Sequence, residues 1–204
     1  MIHNFKKLYF VIYFVIVLSC FSRGAEAHPH IWVDTQLQFI FSSQKLTHIQ
    51  ISYAFDEMYS SMILNLVDRN DNGTIDLAEL DGIKNKVLAK IDDKNYFVHL
   101  RVNKNSISSS NIELSTVLIN EEERLVLVFI VPCQIVVTES MQIVAISAYD
   151  EEYYYEIMNP MKEAIFVKSE DQLEYSILFE EDNENAYYFD QFNPVYTEIH
   201  FKKI

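Results

Sequence analysis

The sequence predicts an α+β protein, a mainly antiparallel, sandwich-like β domain with an EF-hand-like helix-loop-helix inserted between its second and third strands. Three observations carry that class. A series of segments either alternates apolar and polar residues or is apolar on both faces, as half-buried and central strands do. One stretch, at about 57–92, instead repeats its apolar residues at helical spacing. The 204-residue chain has three glycines, no glycine-serine linker and no internal repeat, so nothing divides the part after residue 27 into further domains.

Residues 1–27 read as an export signal. Lys6 and Lys7 form a positive start, Leu8 to Leu18 is an unbroken apolar run, and Ala25-Glu26-Ala27 is a small-x-small cleavage site. The run is shorter than the ~20 residues that span a bilayer, so the mature chain, 28–204, is expected to have no transmembrane span and to be periplasmic. Val17-Leu18-Ser19-Cys20 loosely resembles a lipobox, and lipidation at Cys20 is the rival processing route. Only cleavage after Ala27 leaves His28 as a free amino terminus.

From Ile31 the odd positions Ile31, Val33, Leu37, Phe39 and Phe41 are apolar, while Asp34, Gln36 and Gln38 fall between them. That alternation is a half-buried strand. After a turn around Ser42 to Lys45 it resumes with Ile49, Ile51, Tyr53 and Phe55, which predicts a hairpin. The helical insertion follows, with Ile63, Leu64 and Val67 before its loop and Leu80, Ile83, Val87 and Ile91 after it. Strands are then expected at Tyr96 to Val102, Ile112 to Ile119, Leu173 to Phe179 and Val195 to Phe201. Leu125 to Val131 and Gln142 to Ala148, apolar on both faces, read as central ones. Glu180 to Asn185 reads as a charged loop, and Tyr153, Tyr154 and Tyr155 as core or rim.

The loop of the insertion runs from Asp68 to Glu79 and fills every ligand position of the twelve-residue calcium loop. Asp68, Asn70 and Asn72 supply oxygens at alternate positions, the Thr74 carbonyl follows, Asp76 can act through water, and Glu79 closes the shell with both carboxylate oxygens. Gly73 provides the sharp turn. An ordinary Asp/Asn-rich turn, the plainer reading, has no need of Gly73 and Glu79 at those offsets. Only Asp68, Asp76 and Glu79 bring charge, and the loop has no second copy, so the expected affinity for Ca2+ is in the ~0.1–1 mM range of extracellular modules.

A second site is suggested at the mature amino terminus. A period of two puts His28, His30, Trp32 and Asp34 on the polar face of the first strand. A hairpin turning near 42–45 pairs positions whose numbers sum to roughly 86–88, which sets Asp56 opposite His30 or Trp32 on that face. His28, His30 and Asp56, with Glu57 or His48 as a further donor, then form a set suited to Zn2+, Ni2+, Co2+ or Cu2+. Square-planar binding through backbone amides is excluded because Pro29 has no amide hydrogen. A copper histidine brace built on the free amine and ring of His28 stays open. The competing reading of the pair is a solvated chain end. His99 and His200, alone on their strands, read as surface or packing residues.

The formal charge of the whole chain is −14, and export would remove three of its 16 basic and one of its 30 acidic residues, leaving 13 and 29 and a charge of −16. Nucleic acid is therefore not an expected partner, whereas cations are. Cys133 is the one cysteine of the mature part and, among Val131, Pro132 and Ile135, reads as a buried thiol. No phosphate-cradling glycine loop, no Gly-x-Ser-x-Gly elbow and no nucleophile-base-orienter trio is present, so hydrolytic chemistry has no support in the sequence.

The chain resembles a family of exported bacterial proteins of unknown function, described as periplasmic components of an uncharacterised ABC-type transport system. The likeness rests on His28-Pro29-His30-Ile31-Trp32-Val33-Asp34, on Phe55-Asp56-Glu57-Met58-Tyr59-Ser60, on the calcium-type loop, and on Tyr149-Asp150 followed by Tyr153-Tyr154. The genomic neighbourhood of such proteins, near zinc, nickel or cobalt transporters, implies a metal-handling role with a membrane transporter as partner. Glu151 stands where that pattern has proline, and asparagine fills two loop positions often held by aspartate. The expected function is thus a non-enzymatic metal-handling accessory or solute-binding component of a transition-metal transport system, carrying a structural calcium loop. The alternatives are a calcium-stabilised structural or interaction module and a copper histidine-brace oxidase.

Overall fold

The computed structural model describes residues 31–108 and 111–204. The export segment, Cys20, His28 and His30 lie outside the described residues. The described chain is mostly β, in two sheets with mainly antiparallel pairing. The first contains β1 (Ile31–Ser42), β2 (Lys45–Phe55), β5 (Glu113–Ile119), β6 (Leu125–Val136), β8 (Tyr155–Ile157) and β9 (Ile165–Ser169), in the order β5-β6-β2-β1-β8 with β9 also on β1. The second contains β3 (Val98–Val102), β4 (Asn105–Ile107), β7 (Gln142–Ala148), β10 (Leu173–Glu181) and β11 (Val195–Lys203), in the order β10-β11-β7-β3-β4.

The hairpin β1-β2 follows from its alternation. Val33, Leu37, Phe39 and Phe41 are buried and their even-numbered neighbours are exposed or half-buried. Pairing numbers sum to 88 from Val33/Phe55 through Ile40/His48 and to 87 for Phe41/Leu46 and Ser42/Lys45, with an irregularity between them. Ser43 and Gln44 close the hairpin with φ of 53° and 59°, the two-residue turn whose twist suits antiparallel strands.

Three short strands differ from expectation. β8 and β9 pair in parallel with β1, at Ile31 to Val33 and at Leu37 to Phe41, and together form its second neighbour. Between them the Thr35 hydroxyl donates to the Met158 carbonyl at 2.6 Å. The third, β4, is a three-residue exposed edge beside β3. Segments of three to five residues are too short to show a period. Glu180 and Glu181, expected in a loop, instead end β10.

The core joins both sheets. Phe41 of β1 meets Phe201 of β11 edge to face at 4.9 Å, and Phe39, Ile49, Phe129, Val144 and Ile199 are fully buried around them. Each such side chain contributes roughly 1.5–3 kcal/mol on burial. Cys133 is half-buried, as expected of a structural thiol; burial pushes its pKa up to about 12.

Two helices stand between β2 and β3: α1 (Glu57–Val67) and α2 (Leu80–Lys86). Asp56 caps α1 by accepting the Tyr59 N–H at 2.8 Å. Tyr59, Ile63 and Val67 form its buried face. Ser60, wholly buried, donates to the Phe55 carbonyl and accepts the Leu125 N–H at 2.9 Å, tying α1 to the end of β2 and the start of β6. The apolar spacing after the loop suggests one helix to Ile91, but α2 stops at Lys86 and a 3-10 turn, Leu88–Lys90, follows. Ile83, Val87 and Ile91 are nonetheless all buried.

Candidate metal centre

Residues 68–79 connect α1 to α2, and Asp68 is both the C-terminal cap of α1 and the first loop position. The loop is organised around its own side-chain oxygens. Asp68 accepts the Gly73 N–H at 2.8 Å and the Asn72 N–H at 3.3 Å. Asn70 Oδ1 accepts the Asn72 N–H at 3.1 Å, and Asn72 Oδ1 accepts both the N–H and the hydroxyl of Thr74, at 2.9 and 2.8 Å. Asp76 accepts the Ala78 N–H at 2.8 Å and the Asn70 amide at 3.0 Å. Gly73 has φ +73° with open space where a Cβ would stand, so only the left-handed backbone asks for glycine there.

Glu79 differs from its neighbours in burial. Its residue is 2% exposed, while Asp68, Asn70, Asn72 and Asp76 are exposed or half-buried. Oε1 accepts the Arg69 N–H at 2.6 Å and Oε2 the Asp76 N–H at 3.1 Å, so the carboxylate draws both ends of the loop together. Among the described residues no Lys, Arg or His forms an ion pair with it. The candidate donors of the loop are all oxygens, which suits a hard divalent cation rather than a soft one. Among the described residues, however, no three His, Cys, Asp or Glu side chains gather into a metal-holding group. The loop oxygens are turned instead to its own N–H groups.

The second candidate is divided by the limit of the described residues, since His28 and His30 fall outside them. Asp56 lies directly beside Trp32, as the hairpin register implies. The Trp32 N–H donates to Asp56 Oδ2 at 3.0 Å and the Asp56 N–H to the Trp32 carbonyl at 2.9 Å. Both carboxylate oxygens therefore serve the backbone, one at Trp32 and one at Tyr59, though each oxygen keeps a further lone pair. Glu57, the first residue of α1, is exposed at the same end. His48 is not part of this group. It pairs with Ile40 near the other end of the hairpin, eight residues from Asp56 along the extended chain, roughly 26 Å at the rise of a strand. Its Nδ1 lies 2.9 Å from the Thr47 hydroxyl.

A groove of about 1210 Å³ runs beside α1 and the loop, with Glu57, Asp68, Asp71 and the turn Glu121, Glu122 and Glu123 among its lining. The glutamate run before Arg124 is visible in the sequence, but its approach to the loop depends on the β5-β6 turn and could not be read there. Arg124 joins the same region. Its guanidinium donates to the carbonyls of Phe55 and Ala54 at 2.6 Å each and pairs with Asp34 at 2.7 Å.

The remaining histidines among the described residues are packing or pairing residues. His99 stacks on Tyr149 at 3.8 Å, and burial lowers its pKa. His200 Nε2 lies 2.6 Å from Glu198 Oε2 on β11. A hydrogen bond with Glu198 raises the pKa of Glu180, whose residue is exposed.

A family model described as "Protein of unknown function (DUF1007)" matches residues 13–192, most of the chain. No curated protein matches it. Among the described residues no helix is long and apolar enough to cross a membrane.

Proposed function

The chain belongs to the DUF1007 family, and we propose that within it this protein is an exported, non-enzymatic metal-handling component whose residues 68–79 form an EF-hand-like calcium loop. One observation carries the calcium reading: Glu79, at the position that closes such a loop, is a buried carboxylate without a basic partner among the described residues. Buried carboxylates persist when they are hydrogen-bonded and balanced by a positive charge. A divalent cation would supply that charge, with Asp68, Asn70, Asn72, Thr74 and Asp76 completing the oxygen set.

The transition-metal reading rests on continuity. The helix that ends at Asp68 begins next to Asp56, and Asp56 is hydrogen-bonded to Trp32, two residues from His30. Calcium at the loop would hold the far end of α1, whose first turn carries Asp56 and Glu57, and so favour a site completed by His28 and His30 for Zn2+, Ni2+, Co2+ or Cu2+. The resemblance to periplasmic transport components adds a membrane transporter as the partner that delivers or receives the ion.

Thermal unfolding of the exported protein tests the calcium site. At a calcium concentration 100-fold above Kd the stabilisation is about 2.7 kcal/mol, and it should vanish in Glu79→Gln. An equal response of wild type and Glu79→Gln, or an equal response to magnesium and calcium, sinks this reading. Isothermal titration with zinc, nickel and copper then compares wild type with His28→Ala and His30→Ala. Binding lost in both variants supports metal handling, whereas equal weak binding by all three leaves a calcium-braced structural module.

A further inference from the structure

We propose that the pocket between the Glu151–Tyr155 turn and the Tyr187–Phe192 corner binds a small zwitterion carrying an aromatic ring, the chemistry of a free aromatic amino acid. The pocket has a volume of about 650 Å³ and aromatic walls formed by Tyr154, Tyr155, Tyr188 and Phe189. Small-molecule sites commonly span ~300–1,000 Å³ and combine apolar walls with a few polar groups.

Both walls are built rigidly. Asp150, 2% exposed, accepts the N–H groups of Glu152, Tyr154 and Tyr155 at 3.2, 3.0 and 3.1 Å, and its carboxylate also takes the Lys94 ammonium at 3.3 Å. The turn that carries Tyr154 and Tyr155 is thereby fixed. Opposite it, a bridge pairs Tyr187 with Phe192, and the Tyr153 ring stacks on Phe192 at 4.3 Å.

The corner spanned by that bridge has a strained backbone, held by the packing of the Tyr188 ring on Tyr153 at 5.1 Å. Tyr188, Phe189 and Asp190 follow one another in the left-handed region, with φ of 48°, 57° and 60°. A plain turn would place glycine or asparagine there, because bulky residues are strained in that conformation. Phe189 is also 86% exposed, so beyond an edge contact with Tyr188 at 5.2 Å its ring gains little from packing. A like run at Asn95, Tyr96 and Phe97 buries Phe97 in the core, whereas here the strained backbone holds an exposed ring at the mouth of a pocket, the kind of outlier that marks a binding site.

The charges define the ligand. Lys94 is committed to Asp150 and Glu152, the latter at 2.7 Å. Lys90 and Glu151 also line the pocket and enter no ion pair among the described residues. An aromatic amino acid matches all three elements: its carboxylate meets Lys90, its ammonium meets Glu151, and its ring lies against Tyr188 and Phe189. A simple anion would be repelled by Glu151 and a simple cation by Lys90. The site uses none of the metal-loop residues.

The test is isothermal titration of the exported protein with L-tryptophan, L-tyrosine and L-phenylalanine, beside indole-3-propionate and tryptamine, each of which lacks one charge. Saturable binding of at least one amino acid is expected, weakened about tenfold or more by each of Phe189→Ala, Lys90→Gln and Glu151→Gln. These positions lie at the surface, and an unchanged unfolding temperature verifies that each variant is folded. Absence of saturable binding by all three amino acids up to about 10 mM overturns the proposal, as does equal affinity in wild type and the three variants. Indole-3-propionate binding more tightly than tryptophan, and independently of Glu151, overturns the zwitterion assignment.

Discussion

Gly82 shows how one residue sets the spacing of the helices around the loop. A Cβ built there would lie 2.8 Å from Val67 Cγ1 and 2.9 Å from Val67 Cβ, so α2 approaches α1 more closely than any other residue would allow. Two effects oppose each other in Gly82→Ala. Helix propensity favours alanine by about 1 kcal/mol, while overpacking costs about 1–3 kcal/mol. The clash should win, with a net loss of about 1 kcal/mol in urea unfolding. In a Val67→Gly background both close contacts, Cγ1 and Cβ, are gone and the same change should stabilise by about 1 kcal/mol; the same sign in both backgrounds would refute the close-approach account. His99 offers a second test at this scale. Its pKa is lowered by burial, so the unfolded chain takes up its proton first, and stability is full above about pH 6.5 and falls as the solution is acidified through that value. His99→Gln should flatten that part of the melting-temperature profile. Neither behaviour is legible in the sequence, because both depend on which element lies across from the residue.

Among the elements, the β1-β2 hairpin was readable to its register. Its odd positions from Ile31 to Phe41 are apolar except Thr35, which is buried with them, and the turn lies where the alternation lapses. β8 and β9 were not readable, because three and five residues carry no period and their partner is β1, more than a hundred positions earlier. The same contrast holds for the sites. The loop positions 68–79 could be numbered from spacing alone, yet the use of their oxygens on loop N–H groups could not. Asp56 combines both situations. Its place opposite Trp32 follows from the register, while its role as cap of α1 appears only once the helix start is known. Removing a capping side chain costs about 0.5–2 kcal/mol, so Asp56→Ala should destabilise by at least about 1 kcal/mol, and Asp56→Asn, which keeps one acceptor oxygen for the Tyr59 N–H but sets its NH2 against the Trp32 N–H, should recover only part of that loss. If the two substitutions cost the same, the Tyr59 cap is not what Asp56 contributes to the fold, and its contact with Trp32 carries the loss.

At the scale of the molecule, the two sheets are expected to unfold as one unit, because a single core spans them. The Phe41–Phe201 contact is a direct link between the sheets, 4.9 Å between ring centroids in an edge-to-face arrangement, with both residues no more than 1% exposed. Truncating either ring to alanine should cost about 3–5 kcal/mol. That cost alone says only that each ring is buried. The informative quantity is their coupling, since an edge-to-face pair is worth about 0.5–1.5 kcal/mol beyond the area it covers. In Phe41→Leu, Phe201→Leu and the double variant, chosen because leucine keeps most of the volume, the two losses should fall short of additivity by about that amount. Tryptophan fluorescence reports on Trp32 in the first sheet, while far-UV circular dichroism reports on all strands, so the two transitions should coincide in wild type. Separate transitions would mean that the sheets are stabilised independently. An ion at residues 68–79 would then be expected to stabilise the first sheet, to which α1 is fastened, and to leave the second, with its His99 and Tyr149 stack, unchanged.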